Sequence, residues 1–318
     1  MTDDATSNTV DSQQRPIGLR AVMLVLFITV LWAGNPVAVR YSVDTLPPVF
    51  VAALRFSLAT VLMFFWCRAE GSRLRLTSGQ WLPCLLAGFG MFLQIATFNV
   101  GVTMSNSSHA TMLINTYVFW VLILEQVLLR SARWPLRKFV GVTLAAVGVI
   151  LVVTRSGGPT LDAATNDFPT LRGDLILLGS AMILSDKTLF IKSTLRTIEP
   201  GKLVFWQNLA SVAMFFAWSA LTETVDVSRV TTPTVVAIIY QGIFVGGLCF
   251  AIQAVLLRRH AASQIAVFSF ATPLFGILFA VVFRGDPLTP WLFVAVACVA
   301  LGILLVNLRP RAGRLSKG

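Results

Sequence analysis

The chain has 318 residues, of which 56% are hydrophobic and only 12% are charged, and its mean hydropathy is +0.79. A soluble globular domain carries about 25% charged residues, so this composition excludes a chain whose surface faces mostly water. The formal net charge is +11, but the basic residues lie in short gaps between apolar runs. They leave no basic, aromatic-rich surface for a nucleic acid. They predict anchoring against lipid headgroups instead.

Neither the cysteines nor the short motifs of the sequence indicate a cofactor or an enzyme. Cys67, Cys84, Cys249 and Cys298 lie in or beside apolar runs and form no C-x-x-C pair, so neither a disulfide framework nor a zinc site is predicted. The sequence contains no G-x-S-x-G, H-E-x-x-H or Walker A motif. We therefore predict that the protein is not an enzyme and has no cofactor and no metal.

Ten apolar runs follow one another along the chain, each close to the roughly 20 residues that cross a bilayer. The predicted spans 1 to 10 are 19–40, 47–67, 81–103, 107–129, 134–154, 172–194, 202–221, 233–257, 263–283 and 289–308. One long polar connection divides them into two halves of five spans. We place a polar tail at 1–18, a first five-helix repeat at 19–155, a linker at 156–171, a second repeat at 172–308 and a basic tail at 309–318.

The two halves resemble each other at two distant places. Residues 58–65 in span 2 match residues 209–216 in span 7, at an offset of 151 residues. Gly148 in span 5 matches Gly302 in span 10, at an offset of 154 residues. Because five is odd, a five-helix repeat enters the membrane in opposite senses in the two halves, which is typical of alternating-access transporters. The prediction is an all-α polytopic membrane protein with ten transmembrane helices in two inverted repeats.

The distribution of basic residues predicts the orientation. If the N-terminus is cytoplasmic, 18 of the 25 Lys and Arg residues fall in the cytoplasmic tails and connections, and only five fall on the opposite side. The positive-inside rule then places both termini in the cytoplasm and the linker outside. Arg55 and Lys187, the two remaining basic residues, lie inside spans. We predict a multi-pass protein of the bacterial inner membrane.

Several motifs resemble those of the EamA family in the drug/metabolite transporter superfamily. They are Trp32-Ala33-Gly34-Asn35-Pro36 in span 1, the stretch 47–56 with Arg55 in span 2, Thr272-Pro273-Leu274-Phe275-Gly276 in span 9, and Gly285-Asp286 after it. The resemblance covers roughly 19–308. It implies ten helices around a central cavity and the export or exchange of amino acids and other metabolites without ATP. Spans 4 and 6 depart from the family pattern, at residues 115–117 and 186–187.

Four ionisable residues lie deep enough in the predicted spans to need a partner or a watery cavity. Arg55 is either a counter-ion for a substrate carboxylate or a structural clamp on helix-end carbonyls. Glu125 and Lys187 can neutralise each other as an ion pair. Alternatively, Asp186 or Glu125 takes up a proton during exchange, or Lys187 holds an anionic substrate. Since Asp186 and Lys187 are adjacent, they point about 100° apart.

Polar and aromatic residues of several spans form the candidate substrate site. Amides supply donors and acceptors without fixed charge, and aromatic faces accept an ammonium group. The alternative for each amide is a hydrogen bond between helices. The candidate substrate-binding residues are Gln94, Asn115, Tyr117, Trp120, Asp186, Lys187, Trp206 and Gln207.

The function expected from the inverted repeat and the family resemblance is secondary transport. We expect a transporter, in the family's direction an exporter, of small metabolites such as amino acids or related amphipathic solutes, working by alternating access around a central cavity. Its expected partners are the small-molecule substrate and the lipid bilayer, with proton coupling open and no nucleic acid. The alternative is a structural or sensory membrane subunit without transport activity.

Overall fold

The computed structural model describes residues 18–129, 136–154, 169–259, 268 and 271–307. All regular elements in these ranges are helical, as predicted. They are α1 (Leu19–Ala33), α2 (Asn35–Val43), α3 (Pro48–Ala69), α4 (Ser78–Thr103), α5 (Ser107–Asn115), α6 (Tyr117–Leu129), α7 (Leu136–Val153), α8 (Leu171–Thr194), α9 (Pro200–Thr222), a 3-10 turn (Val227–Arg229), α10 (Thr232–Ile239), a π-helix (Tyr240–Cys249), α11 (Phe250–Arg259), α12 (Ala271–Arg284) and α13 (Pro290–Asn307).

These helices form the ten predicted spans, three of which are interrupted. Span 1 consists of α1 and α2, span 4 of α5 and α6, and span 8 of α10, the π-helix and α11. Span 1 breaks at Gly34, where a Cβ atom would lie 2.7 Å from the Tyr240 hydroxyl. Pro36 then lies in the first turn of α2, where its missing amide donor costs no helical hydrogen bond. The break therefore lets spans 1 and 8 pack closely.

Length and composition support a membrane setting for most of the bundle. The helical stretches long and apolar enough to cross a bilayer are Leu19–Val43, Pro48–Ala69, Ser78–Thr103, Pro200–Thr222 and Thr232–Leu256. Shorter apolar helices are Phe139–Val152, Ala271–Arg284 and Pro290–Leu305. Large apolar side chains such as Phe65, Ile150 and Phe283 are about 60% exposed on the outer surface of the bundle. Such a surface suits lipid rather than water.

The two repeats pack against each other through equivalent glycines in spans 5 and 10. A Cβ atom at Gly148 would lie 2.8 Å from the Ala295 carbonyl oxygen, and one at Gly302 would lie 2.6 Å from the Gly141 carbonyl oxygen. Gly141 and Ala295 have the same 154-residue offset as Gly148 and Gly302, so the two approaches are equivalent. Two inverted repeats related by a pseudo-two-fold axis require this reciprocity. The repeat boundaries themselves stay a prediction.

Two ends of the bundle are defined by their contacts. At the His109 end, α3, α5 and α8 begin, and Arg284 pairs with Asp44 at 2.9 Å. At the opposite Cys67 end, α4 and α9 begin, and Lys202 donates a hydrogen bond to Gln80 at 2.7 Å. Which end faces the cytoplasm follows only from the charge distribution, and it stays a prediction.

Candidate functional site

Lys187 of α8 extends into the interior of the bundle although it lies on a helix at the edge. Its Nζ atom lies 3.3 Å from Gln94 Oε1 and 3.3 Å from Met91 Sδ, both on α4, and 5.7 Å from the ring centroid of Phe250 on α11. The stem of the lysine passes Gly90, where a Cβ would lie in ordinary van der Waals contact with Lys187 Cγ at 3.6 Å. The ammonium group is therefore held between three spans by weak polar and aromatic contacts.

Gln94 is oriented by a second contact on α8. Its Nε2 atom donates to Ser180 Oγ at 3.3 Å, and the Ser180 hydroxyl donates to the main-chain carbonyl of Gln94 at 2.8 Å. Fixing the amide nitrogen on Ser180 turns the amide oxygen toward Lys187. All three side chains are buried. Gln94 therefore joins α4 and α8 at the position where the lysine enters the interior.

Arg55 of α3 is buried on the other side of the same region. Its Nη1 atom donates to Gln241 Oε1 at 3.1 Å, and its guanidinium lies 4.8 Å from the ring centroid of Phe56. Gln241 is itself fixed, because its Nε2 atom donates to the Ala38 carbonyl and to Ser42 Oγ. Arg55 therefore connects span 2 to span 8, and its Nε atom has no partner within the residues that the structure describes.

The region around Arg55 and Lys187 has an apolar floor. Phe56 and Met91 are fully buried in one cluster, and Phe250 packs against it. Arg55 lies seven positions after the first residue of α3, and Lys187 lies seven positions before the last residue of α8. At 1.5 Å per residue, each Cα lies about 10 Å inside opposite ends of the bundle. Because side chains lean toward the N-terminus of their helix, the Lys187 stem points toward mid-bundle.

Several buried polar atoms of spans 6 and 7 lack a hydrogen-bond partner in the described part of the chain. They include Gln207 Oε1, both amide atoms of Asn208, and Ser185 Oγ. Leaving such a group unpaired costs about 1–3 kcal/mol. Asn208 lies on the same face of α9 as Val204 and Phe215. These two residues belong to two apolar clusters, and Phe250 packs against both clusters. Asn208 thus adds an unused amide group on the face of α9 that packs against the apolar floor, and Gln207 adds an unpaired amide oxygen on the same helix.

The structure brings together only part of the predicted site. Gln94 and Lys187 are in direct contact, and Gln207 is buried in span 7. Asp186 is exposed on the α8 face that also carries Leu175 and Met182, so it points away from Lys187.

Trp206 donates its indole hydrogen to the Leu74 carbonyl at 2.7 Å, near the Cys67 end. It also packs against Trp81 there. These contacts tie span 7 to the connection between spans 2 and 3, away from the Lys187 contacts.

The three predicted residues of span 4 lie around its helix break. Asn115 donates to the Thr111 carbonyl at 2.7 Å, four residues earlier, and is buried. Tyr117 is half-buried and packs against the apolar core formed by spans 1, 3, 4, 5, 6, 9 and 10. Trp120 is half-buried too. Their role in binding stays a prediction. The side chain of Glu125 lies outside the described residues, while Lys187 contacts Gln94 and Met91.

Sequence reasoning missed a polar network at the His109 end. His109 Nδ1 lies 2.8 Å from Asp174 Oδ2, and Ser105 Oγ donates to Asp174 Oδ1 at 2.6 Å. The Ser108 amide and hydroxyl both donate to Asp286 at 2.9 and 2.7 Å. The only signal in the sequence was the concentration of polar residues at 105–109. Nothing in that pattern indicates partners 65 and 178 residues further along the chain.

The family comparison matches both halves of this bundle. The EamA-like transporter family matches residues 19–154 and again residues 171–308. The chain belongs to the EamA-like transporter family. The resemblance of its motifs to this family is thereby confirmed, as is the two-repeat polytopic fold.

Relatives of this EamA-like chain are named as transporters. A probable amino-acid metabolite efflux pump of Salmonella typhimurium is 24% identical over 300 residues, which cover 89% of this chain and 93% of the relative. An S-adenosylmethionine/S-adenosylhomocysteine transporter of Chlamydia muridarum is 23% identical over 293 residues, covering 90% and 91%. A solved crystal structure superposes with a TM-score of 0.68 at 19% identity, over 91% of this chain and 98% of that chain. This last likeness shows the fold alone.

Proposed function

We propose that this protein is a secondary transporter, working as an exporter of small metabolites such as amino acids or related amphipathic solutes. The observation that carries the proposal is the set of unpaired, buried polar atoms of Gln207 and Asn208 on α9, the helix that contributes Phe215 to the cluster of the apolar floor. A bundle in lipid normally satisfies its polar groups internally. In an inverted-repeat fold, unpaired donors and acceptors suit a solute that binds transiently during transport.

In the described part of the chain, one end of the bundle carries a buried hydrogen-bond network and the other a half-open pocket, which supports alternating access. At the His109 end, Asp174 and Asp286 hold spans 4, 6 and 9 together through buried hydrogen bonds. At the Cys67 end, a cavity of about 590 Å³ lies between the end of α3, the start of α9 and α11. Its lining residues include Trp66, Glu70 and Glu199. With both termini in the cytoplasm, this cavity opens inward, as an exporter loading its solute requires.

The names of the relatives support the solute class and the direction. One relative is named for the efflux of amino-acid metabolites and another for S-adenosylmethionine and S-adenosylhomocysteine. All of these are small organic molecules that carry polar groups. Amides and aromatic rings around a buried cation can accommodate such molecules. Coupling to protons stays open and is decided by the imposed pH gradients, since Asp186 is exposed on α8 and the side chain of Glu125 lies outside the described residues.

The test is solute flux by the purified full chain in proteoliposomes. A panel of amino acids, nucleosides and amphipathic cations is measured at two imposed pH gradients, and we expect flux of at least one amino-acid-like solute. Lys187→Met should lower that flux strongly, and Lys192→Met, the same change at an exposed position five residues later on the same helix, should not. Absence of flux for the whole panel would favour a structural or sensory subunit instead.

A further inference from the structure

Arg55 and Lys187 are two buried cations for which the described residues supply no carboxylate. Arg55 is 2% exposed and Lys187 is 6% exposed. Within the described residues, Arg55 contacts an amide oxygen and a ring, and Lys187 contacts an amide oxygen, a thioether and a ring. By contrast, Arg284 at the His109 end pairs with Asp44 at 2.9 Å. An isolated buried charge is costly unless something neutralises it.

Most donors of both cations remain unused. A guanidinium has five N–H donors, and within the described chain the one Arg55 bond is that from Nη1 to Gln241. Because Gln241 holds Nη1 and the guanidinium lies over the Phe56 ring, the edge formed by Nε and Nη2 is left without an acceptor in the described residues. Two parallel N–H donors on one edge match the two oxygens of a carboxylate. The 3.3 Å contact of Lys187 with Gln94 Oε1 is long for an ammonium group, and the Met91 thioether is only a weak acceptor. The third donor of Lys187 has no acceptor among the described residues.

The two cations carry like charges, which repel each other where water does not screen them. They also share one apolar floor, since Arg55 lies over Phe56 and Lys187 lies over Phe250, which packs against the cluster containing Phe56. Neither cation can relieve the repulsion by moving to water, because both are buried. An anion placed between them would remove the repulsion and occupy the free donors of both.

We infer that a carboxylate of the transported solute binds between Arg55 and Lys187, so that the solute is an organic monoanion or a zwitterion with an apolar body. This inference rests on the proposed transport function. The Arg55 edge binds both carboxylate oxygens, and Lys187 contributes the second charge. Phe56, Met91 and Phe250 contact the apolar body. Solutes that carry only a positive charge are excluded, because they would add a third cation to a buried site.

Binding is tested separately from transport, by thermal stabilisation of the purified full chain. The probes share one branched apolar body and differ only in charge: leucine, 4-methylpentanoate, leucinamide and 4-methylpentanamide. We expect leucine and 4-methylpentanoate to stabilise the protein and the two amides to have no effect. Since a charge-assisted hydrogen bond contributes about 1.5–3 kcal/mol, losing it should weaken binding by about tenfold to a hundredfold.

Variants then assign the carboxylate contact. Lys187→Met should weaken the binding of 4-methylpentanoate, Lys187→Arg should restore much of it, and Lys192→Met should leave it unchanged. Arg55→Lys keeps the charge but loses the two-donor edge, so it should weaken binding as well. Circular dichroism and the unliganded unfolding temperature show whether each variant is folded. A folded Lys187→Met variant that binds with wild-type affinity overturns the inference.

The other outcomes separate this inference from the transport proposal. If leucinamide binds or is transported as well as leucine, the carboxylate requirement is wrong while transport stands. If sodium chloride stabilises the protein as strongly as 4-methylpentanoate at the same concentration, the pair holds an inorganic anion and the inference is again wrong. Carboxylate-dependent binding in a protein that moves no solute of any panel would support the anion site and contradict the transport function.

Discussion

His109 Nδ1 lies 2.8 Å from Asp174 Oδ2, and this buried contact joins span 4 of the first repeat to span 6 of the second. Ser105 donates to the other carboxylate oxygen at 2.6 Å, and the imidazole meets the Trp291 ring edge-on at 5.9 Å. A carboxylate buried without such donors would be strongly unfavourable. Asp174 therefore holds the His109 end together and depends on its partners for its own burial.

Replacing Asp174 by alanine should destabilise the protein. The change leaves the Ser105 hydroxyl and the His109 imidazole without the acceptor they now share, and removing one partner of a buried pair costs about 3–5 kcal/mol. The measurement is the unfolding temperature of the purified protein in detergent. Asp226→Ala is the control, since Asp226 is exposed and its hydrogen bonds within the described residues go to the neighbouring Ser228. Equal unfolding temperatures for the two variants would contradict the importance of this network.

Adding a methyl group at Gly148 or Gly302 should push spans 5 and 10 apart. The new Cβ would lie 2.8 Å from a carbonyl oxygen at Gly148 and 2.6 Å from one at Gly302, and overpacking of this kind costs about 1–3 kcal/mol. Gly179→Ala is the matched control, because a Cβ there meets nothing within 4 Å. That substitution should stabilise the helix by up to about 1 kcal/mol. Similar unfolding temperatures for Gly148→Ala and Gly179→Ala would argue against this packing.

The Gly148–Gly302 relationship was predictable because it depends on the sequence repeat. An offset of 154 residues connects equivalent positions, and equivalent positions of inverted repeats meet at the axis that relates them. The ten spans were predictable for a similar reason, because lipid requires long apolar runs. No such signal predicts the π-helix at Tyr240–Cys249, because the spacing of apolar residues does not determine which backbone hydrogen bonds form.

The candidate site was only partly predictable because a helical pattern gives the face of a residue and not its partner. Asp186 and Lys187 were predicted to point about 100° apart, and the structure has one exposed and the other buried. Which of them faces inward depends on the packing of α8 against α4, in particular on the space beside Gly90. The contact between Lys187 and Gln94 spans 93 residues, and apolar composition carries no signal for it.

Labelling of introduced cysteines should show both termini in the cytoplasm. In a background without the four native cysteines, a membrane-impermeant thiol reagent should modify Asp226→Cys in sealed cells and spare Arg73→Cys. Both positions are exposed, and they lie at the His109 and Cys67 ends respectively. The same contrast is expected between Asp162→Cys and Ser316→Cys, which lie outside the described residues. The positive-inside rule motivates this expectation, and the opposite labelling pattern would reverse the orientation.

Substitutions at Asp186, Lys187 and Asn115 should separate the roles of these residues in transport. Lys187→Met removes the buried ammonium group of span 6, and it should lower flux at every pH. Asp186→Asn changes an exposed group, so flux should stay within about twofold, in line with the 0.5 kcal/mol typical of surface substitutions. Asn115→Ala frees the Thr111 carbonyl at the helix break of span 4, and it should alter the preference among solutes. The measurement is proteoliposome flux of the same solute panel at two pH gradients, normalised to reconstituted protein. A loss of pH dependence in Asp186→Asn alone would instead identify Asp186 as the proton carrier, and it would require the exposed face of α8 to contact water rather than lipid.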